Sequence, residues 1–307
     1  MHKSVLLDSC LEYLNLQENS IIVDCTLGYG GHSSKILEKV KKGFLYCFDQ
    51  DVEAINYSKE RLSNIASNFE IIKSNFVNLK DELNRRNIYK VDGVLFDLGV
   101  SSPQLDTDYR GFSFHKDAPL DMRMDLNNEL SAFHVVNEYS CEDLVRIFRD
   151  YGEEKYAVPI AKKIIDYRQN KNISTTLELV EIIKSAVPEK YKREKHPARK
   201  VFQAIRIEVN DELNVFEQSL IAALKMLKVG GRICVITFHS LEDKICKRIF
   251  KECSTVDKAI SKMPIIPLQY QPKFKVIASI TPDDNELIEN NRSRSAKLRV
   301  IERIKEG

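Results

Sequence analysis

No stretch of the 307-residue sequence approaches the ~20 consecutive apolar residues that a membrane span needs. The apolar part of Met1–Asp8 is too short for a signal peptide, so the expected compartment is the cytoplasm. The seven cysteines contain no C-x-x-C pair and no companion histidines at metal spacing, which removes the zinc ribbons and fingers and leaves buried, reduced thiols as the expectation. Net charge is only +2, so no global basic field marks the chain for nucleic acid, and any such contact has to come from local patches. Internal repeats and low-complexity tracts are absent as well. What is left, at 43% hydrophobic and 30% charged residues, is ordinary globular protein with length for about two domains.

One more absence is the most informative. Ile21-Ile22-Val23-Asp24 reads as a short strand, Gly28-Tyr29-Gly30-Gly31 as a glycine turn, and the residues after it as an amphipathic helix. Asp49 ends a second apolar run, Phe44–Phe48, at the distance where an acid takes ribose hydroxyls. A dinucleotide loop would read G-x-G-x-x-G, but Ser33 stands where the third glycine belongs. An acid closing strand one and a G-x-G-G turn suit S-adenosylmethionine better: it has an adenosine, a methionine tail whose carboxylate a helix N-terminus can take, and a sulfonium that acids oppose.

Strands are expected at 21–24, 44–48, 70–73 and 92–97, with helices between them, for example Val52–Asn64 and Phe76–Asn87. This rhythm implies a parallel sheet with helices on both faces, and ligands then sit beyond the strands' carboxyl ends, where Asp24, Asp49 and Asp97 fall. From 126 to 198 the pattern is helical: Ser131–Tyr139, Glu142–Asp150, Lys155–Tyr167 and Leu177–Ala186, with Ser140, and Ser174 or Thr175, as caps. The α/β rhythm resumes with a helix over 201–227, a glycine turn at Gly230-Gly231 and a strand to Phe238. Two closing strands follow, Lys273–Ile280 and a half-exposed Ser295–Val300. The expected division is 1–125 with 199–307, interrupted by a helical insertion at 126–198.

The motifs, taken in order, resemble a known family. Val23–Ser33, Asp97–Asp106, Arg110–Phe114, Pro119–Asp125, His196-Pro197-Ala198, Phe202-Gln203-Ala204, Val209–Leu213, Phe238–Asp243 and Arg294–Arg299 are similar to segments of the bacterial ribosomal RNA small subunit methyltransferase H (MraW) family. The likeness runs from His2 almost to the C-terminus. Asn291 departs from it where proline is usual, which bears only on local loop stiffness. The resemblance implies an α/β, class I S-adenosylmethionine-dependent methyltransferase (Rossmann-like) fold with an inserted helical domain. It also implies methyl transfer to N4 of a cytosine in the decoding region of 16S rRNA, within the small ribosomal subunit. No membrane partner is implied, and a homodimer is compatible with it.

Carried onto this chain, the family's cofactor site comprises Gly30, Gly31 and His32 in the loop, Asp49 on the ribose, Phe76 beside the adenine, and Asp97 and Gln104 at the methyl end. His32, Phe76 and Gln104 rest on resemblance alone. Many amino-methyltransferases hold the amine with an Asp/Asn-Pro-Pro-aromatic turn after strand four, but here that turn reads Asp97-Leu98-Gly99-Val100-Ser101-Ser102-Pro103. Asp97, or a backbone carbonyl or hydroxyl of Ser101–Ser102, is therefore the candidate acceptor for the amine; a role for Asp97 in cofactor binding alone is the competing reading. Phe112, Phe114 and Phe238 are candidates for walls of the base pocket, and His239 and Ser240 for base-edge contacts. Asp121-x-Arg123-x-Asp125 imitates a metal site, but its central arginine points to a salt-bridged loop, and no structural metal is expected. Basic clusters at 190–200 and at Arg292, Arg294, Lys297 and Arg299 are candidate phosphate contacts. The alternatives are an amino-methyltransferase of another nucleic acid, a non-catalytic RNA-binding factor, and an NAD-dependent dehydrogenase, the last disfavoured by Ser33.

Overall fold

The computed structural model describes residues 4–100, 109–194, 196–256 and 260–306. Seven strands form one sheet: β1 (Ile21–Asp24), β2 (Phe44–Asp49), β3 (Phe69–Lys73), β4 (Val91–Asp97), β5 (Leu227–Thr237), β6 (Phe274–Ile280) and β7 (Lys297–Arg303), in the order β3-β2-β1-β4-β5-β7-β6. The first five strands in that order pair in parallel, and β7 runs antiparallel between β5 and β6. The inner strands are continuous apolar runs because helices cover both faces; Leu45, Cys47, Phe48, Val94, Leu95 and Phe96 are all fully buried. Cys10, Cys25, Cys47, Cys234 and Cys246 are buried free thiols. Among the described residues, no helix is long and apolar enough to cross a membrane.

The chain divides into two compact units, Met1–Gly99 with Leu213–Gly307, and Val100–Glu212. The second unit is larger than the expected 126–198. Its core explains why: Phe112, Leu120 and Met122 on one side, and Ala198, Val201, Phe202 and Ile205 on the other, share one apolar cluster with the helices Ala132–Glu138, Cys141–Asp150, Ala157–Arg168 and Thr176–Ser185. The apolar residues of 109–125 lack a period that would place them with the helices, yet Phe112, Leu120 and Met122 belong to that core. Ser140 caps its helix by accepting from the Asp143 amide at 3.0 Å. Of the two candidates for the next cap it is Thr175 that accepts from the Glu178 amide, at 3.3 Å.

Two expectations change. The single helix over 201–227 is two, Ala198–Asn210 and Glu212–Met226, because Asp211 takes a left-handed φ of 49°. Arg206 ties down that bend through a two-pronged ion pair with Glu212, at 2.7 and 2.8 Å. The glycine turn at Gly230-Gly231 is a bulge inside β5: Val91 pairs Leu227 while Gly93 pairs Arg232, and Gly230 has φ 80°. The alternation expected of β7 is seen: Leu298 and Val300 are buried, and Lys297 and Arg299 are only partly so. The strand lies between two others, and the helix Ser240–Ser254 lays Asp243 against its polar residues; Arg299 Nε meets Asp243 Oδ1 at 2.5 Å and Lys297 Nζ meets Oδ2 at 3.7 Å.

Candidate active site

The glycine loop leaves β1 at Asp24, and the structure sorts the three strand-end acids into different roles. Asp24 turns inward and is 1% exposed. Its carboxylate accepts from the Thr26 amide at 3.0 Å and from Ser33 Oγ at 2.6 Å. Burial raises its pKa, and these hydrogen bonds pull the other way. Asp24 is thus the loop's anchor. Ser33 has a positive job where the dinucleotide pattern has glycine, since its hydroxyl holds that anchor.

Asp49, at the end of β2, faces the same loop and stays half-buried. Its Oδ2 accepts from the Gly28 amide at 2.8 Å and Oδ1 from the Asp51 amide at 2.9 Å. Burial still dominates these contacts and pushes its pKa up to about 6. The loop is clamped from behind by the helix Val52–Ser63: Ser58 Oγ donates to the Gly28 carbonyl at 2.7 Å, and Arg61 to the Tyr29 carbonyl at 3.0 Å. Gly30 begins the next helix with φ 72°, a conformation that disfavours side chains.

Asp97 ends β4, and its amide donates to Thr26 Oγ1 at 2.7 Å, joining the strand-four end to the loop. A quarter of its side chain meets solvent, yet Oδ1 is sealed and has no hydrogen-bond partner among the described residues. Burial, and then the nearby Asp24 and Glu242 carboxylates, raise its pKa well above the usual range. A buried carboxyl oxygen without a partner is costly unless something arrives to meet it. His32 lies 5% exposed in the first turn after the loop, between Asp97 and the Val5 carbonyl. Phe76 opens a turn after β3, capped by Asn75, and sets its ring edge-on to Phe96 at 5.8 Å. Asp49, Phe76 and Asp97 thus follow the carboxyl ends of three strands, and Gly30, Gly31 and His32 follow the fourth. Ser101, Ser102 and Gln104 lie outside the described residues.

This arrangement fits S-adenosylmethionine: a half-buried acid for hydroxyls, a half-buried aromatic ring, a glycine cradle, and an unpartnered buried carboxyl oxygen suited to an N–H donor or a nearby cation. The MraW methylase family model matches residues 1–304. The chain belongs to the MraW methylase family. It is therefore a methylase, with S-adenosylmethionine as methyl donor. The ribosomal RNA small subunit methyltransferase H of Exiguobacterium sibiricum is 52% identical to it over 309 aligned positions, covering 100% of this chain and 99% of that one. Solved structures align more distantly. An rRNA methylase from Streptococcus thermophilus has 14% identity over 99% of each chain, with a TM-score of 0.45. A Streptococcus mutans protein in complex with SAH has 13% identity over 99% of each chain, also with a TM-score of 0.45.

In this MraW methylase, other candidates separate by burial. Phe112 is 6% exposed and belongs to the helical unit's core, so it is no stacking wall. Phe114 is half-buried, stacked on His196 with 4.6 Å between ring centres. Phe238 is half-buried and His239 is turned to Glu242, Nε2 to Oε1 at 3.1 Å; Ser240 is exposed. Arg123 grips Asp121 through two hydrogen bonds, at 3.0 and 2.7 Å, so the D-x-R-x-D stretch is the salt-bridged loop its arginine implied. Burial alone would raise Asp121, but Arg123 holds its pKa below the usual value. In the first basic cluster Lys190, Arg193 and Arg199 are exposed, while Lys192 is paired with Glu189. In the second, Asp243 already engages Lys297 and Arg299, leaving Arg292 and Arg294 as its exposed members. The sequence reading missed the inward turn of Asp24 and the contact of Ser33 with it; a polar residue one helical turn past a G-x-G-G loop was the available signal.

Proposed function

We propose that this methylase transfers a methyl group from S-adenosylmethionine to N4 of a cytosine in the decoding region of 16S rRNA, acting in the bacterial cytoplasm on the small ribosomal subunit. The 52% identity to ribosomal RNA small subunit methyltransferase H along the whole chain carries this reading. When bound, S-adenosylmethionine supplies a methyl carbon already activated by positive sulfur. The chain's own residues have to bind, orient and accept a hydrogen bond from the amine.

In this reading Asp49 accepts the ribose hydroxyls, Phe76 lies along the adenine, and the backbone of Gly30, Gly31 and His32 lies against the methionine tail. Asp97 and Gln104 stand at the methyl end. Cytosine's exocyclic amine is a weak nucleophile because its lone pair is delocalised into the ring. An acceptor on its N–H localises that pair on nitrogen; once the methyl has transferred, the proton leaves the cationic amine to solvent. Asp97 Oδ1 is the acceptor favoured here, because it is buried and without a partner among the described residues; Ser101 and Ser102 are the neighbouring candidates. Alignment of the amine about 3–3.5 Å from the methyl can supply several kcal/mol of the rate enhancement. The exposed Lys190, Arg193 and Arg199 of the second unit meet phosphates.

The test offers labelled S-adenosylmethionine with either naked 16S rRNA or small subunits lacking the modification, and maps the labelled nucleotide. Label confined to N4 of one decoding-region cytosine supports the reading. Label on another atom or another RNA overturns it. Light scattering of the same preparation distinguishes monomer from homodimer.

A further inference from the structure

Both ring nitrogens of His32 lie close to oxygens of the protein. Nε2 lies 3.1 Å from the Val5 carbonyl oxygen, and Nδ1 lies 3.4 Å from Asp97 Oδ2. Burial lowers its pKa to about 4, so the ring is neutral at physiological pH and carries one N–H. The Val5 carbonyl can only accept, which assigns that N–H to Nε2 and leaves the Nδ1 lone pair facing Asp97. A lone pair opposite a carboxyl oxygen is favourable when that oxygen carries the proton, in keeping with the upward shift of Asp97. The groups that act on Asp97 are His32, Asp24 from β1, Glu242 from the helix after β5, and Cys10 from the first helix. Only His32 offers it a lone pair on nitrogen.

Val5 is itself held from a second side. The Leu6 amide donates to Glu286 Oε1 at 2.6 Å, and Leu6 takes a left-handed φ of 51°. Ser4 lies so close over Gly31 that a Cβ there would collide with its hydroxyl. Ser4–Leu6 therefore rests on the glycine loop and fixes the far side of the His32 ring.

We propose that His32 is a positioning residue: anchored by the Val5 carbonyl, its Nδ1 holds Asp97 Oδ2 and so turns the unpartnered Oδ1 toward the ligand. This deepens the reading above and rests on Asp97 acting at the methyl end. It also assigns the N-terminal stretch Ser4–Leu6 a part in the active site without contact with substrate.

The experiment compares His32→Ala, His32→Gln and His32→Asn in the full-length protein. An asparagine amide takes the place of Nδ1, whereas a glutamine amide reaches the place of Nε2. Methylation of undermethylated small subunits is measured at saturating S-adenosylmethionine, with cofactor Kd by calorimetry and Tm on the same samples. The expected result is a kcat loss of about tenfold or more in His32→Ala and His32→Gln, with substantial rescue in His32→Asn. The alkaline limb of the His32→Asn pH profile should move to higher pH, because an amide can turn its N–H toward Asp97 once it ionises and keep it held. In the ligand-free protein, nitrogen-15 NMR should show one imidazole in the Nε2–H form that stays neutral until about pH 4. If His32→Asn is no better than His32→Ala, its pH limb is unmoved and activity falls only in step with Tm, the ring is a structural prop and the proposal fails. Full activity in His32→Ala also overturns it. Asp97→Ala separates the two ideas: if it keeps full kcat, the reading of Asp97 fails; if it is inactive while His32→Ala is not, only the role of His32 fails.

Discussion

Each unit buries a carboxylate, and they are treated in opposite ways. In the helical unit Glu154 is 2% exposed; its Oε2 accepts from the Tyr191 hydroxyl at 2.6 Å and its Oε1 from the Tyr156 amide at 2.9 Å. In the sheet unit Asp97 has one oxygen facing His32 and the other facing nothing among the described residues. A protein that leaves one buried oxygen unmet while satisfying another carries the first for a purpose outside its own stability. Satisfaction marks scaffold and deficit marks site, and mutation of the two should separate activity from stability.

The largest effect is expected at the deficit. Asp97→Ala should cut kcat by about 10²-fold or more while cofactor affinity changes far less, as when one preorganised hydrogen-bonding group is removed from a reacting centre. Parallel kinetics and calorimetry check this, and equal loss of kcat and affinity would reduce Asp97 to a cofactor ligand.

Next comes Asp49. With its pKa raised to about 6, the ligand-free protein gains relative stability below the ordinary carboxylate range and loses it as pH rises through about 6. Ribose hydroxyls favour the ionised form, so binding there releases a proton. Cofactor affinity should therefore weaken about tenfold per pH unit below that value. Asp49→Asn should lose about tenfold or more in affinity at pH 8 and flatten this dependence. Titrations in buffers of different ionisation enthalpy count the proton, and a pH-independent wild-type affinity would remove Asp49 from the ribose.

Glu154→Ala reverses the pattern. It strands the Tyr191 hydroxyl and should cost about 1–3 kcal/mol of stability, seen as a fall of several degrees in Tm, with cofactor Kd unchanged. A loss of cofactor binding here would break the distinction between the two acids. The smallest effect is at the surface. Arg193→Glu with Arg199→Glu should weaken RNA binding several-fold and make its salt dependence shallower by about 0.7–0.9 in log–log slope per lost phosphate contact. Unchanged slopes would make these residues an ordinary solvated face.

How legible this was depended on the range of the interaction. β1, the G-x-G-G turn and Asp49 were readable because strand, turn and acid follow within thirty residues and each uses local chemistry. The helix caps at Ser140 and Thr175 were readable for the same reason. The bend at Asp211 was not, because a left-handed φ at an aspartate between two good helical runs leaves no periodic trace. The neutralisation of Arg299 was not, because Asp243 is 56 residues away. Asp24 was read as lying with the ligand-facing acids; only burial reveals that it faces Ser33. The insertion was recognised, but its edges were drawn too tightly, since Phe112, Leu120 and Met122 belong to its core without any helical pattern to announce them.

The contact between Leu6 and Glu286 joins residues 280 positions apart. During synthesis the glycine loop and the first strands leave the ribosome well before the acceptor for the Leu6 amide, which is made 280 residues later. A chain interrupted before Glu286 lacks this fastening on the stretch that carries Val5, and with it one support of the His32 ring. The expected outcome is that the activity of this enzyme lags behind the appearance of its folded sheet, and is lost from chains cut before Glu286 while their N-terminal half stays folded.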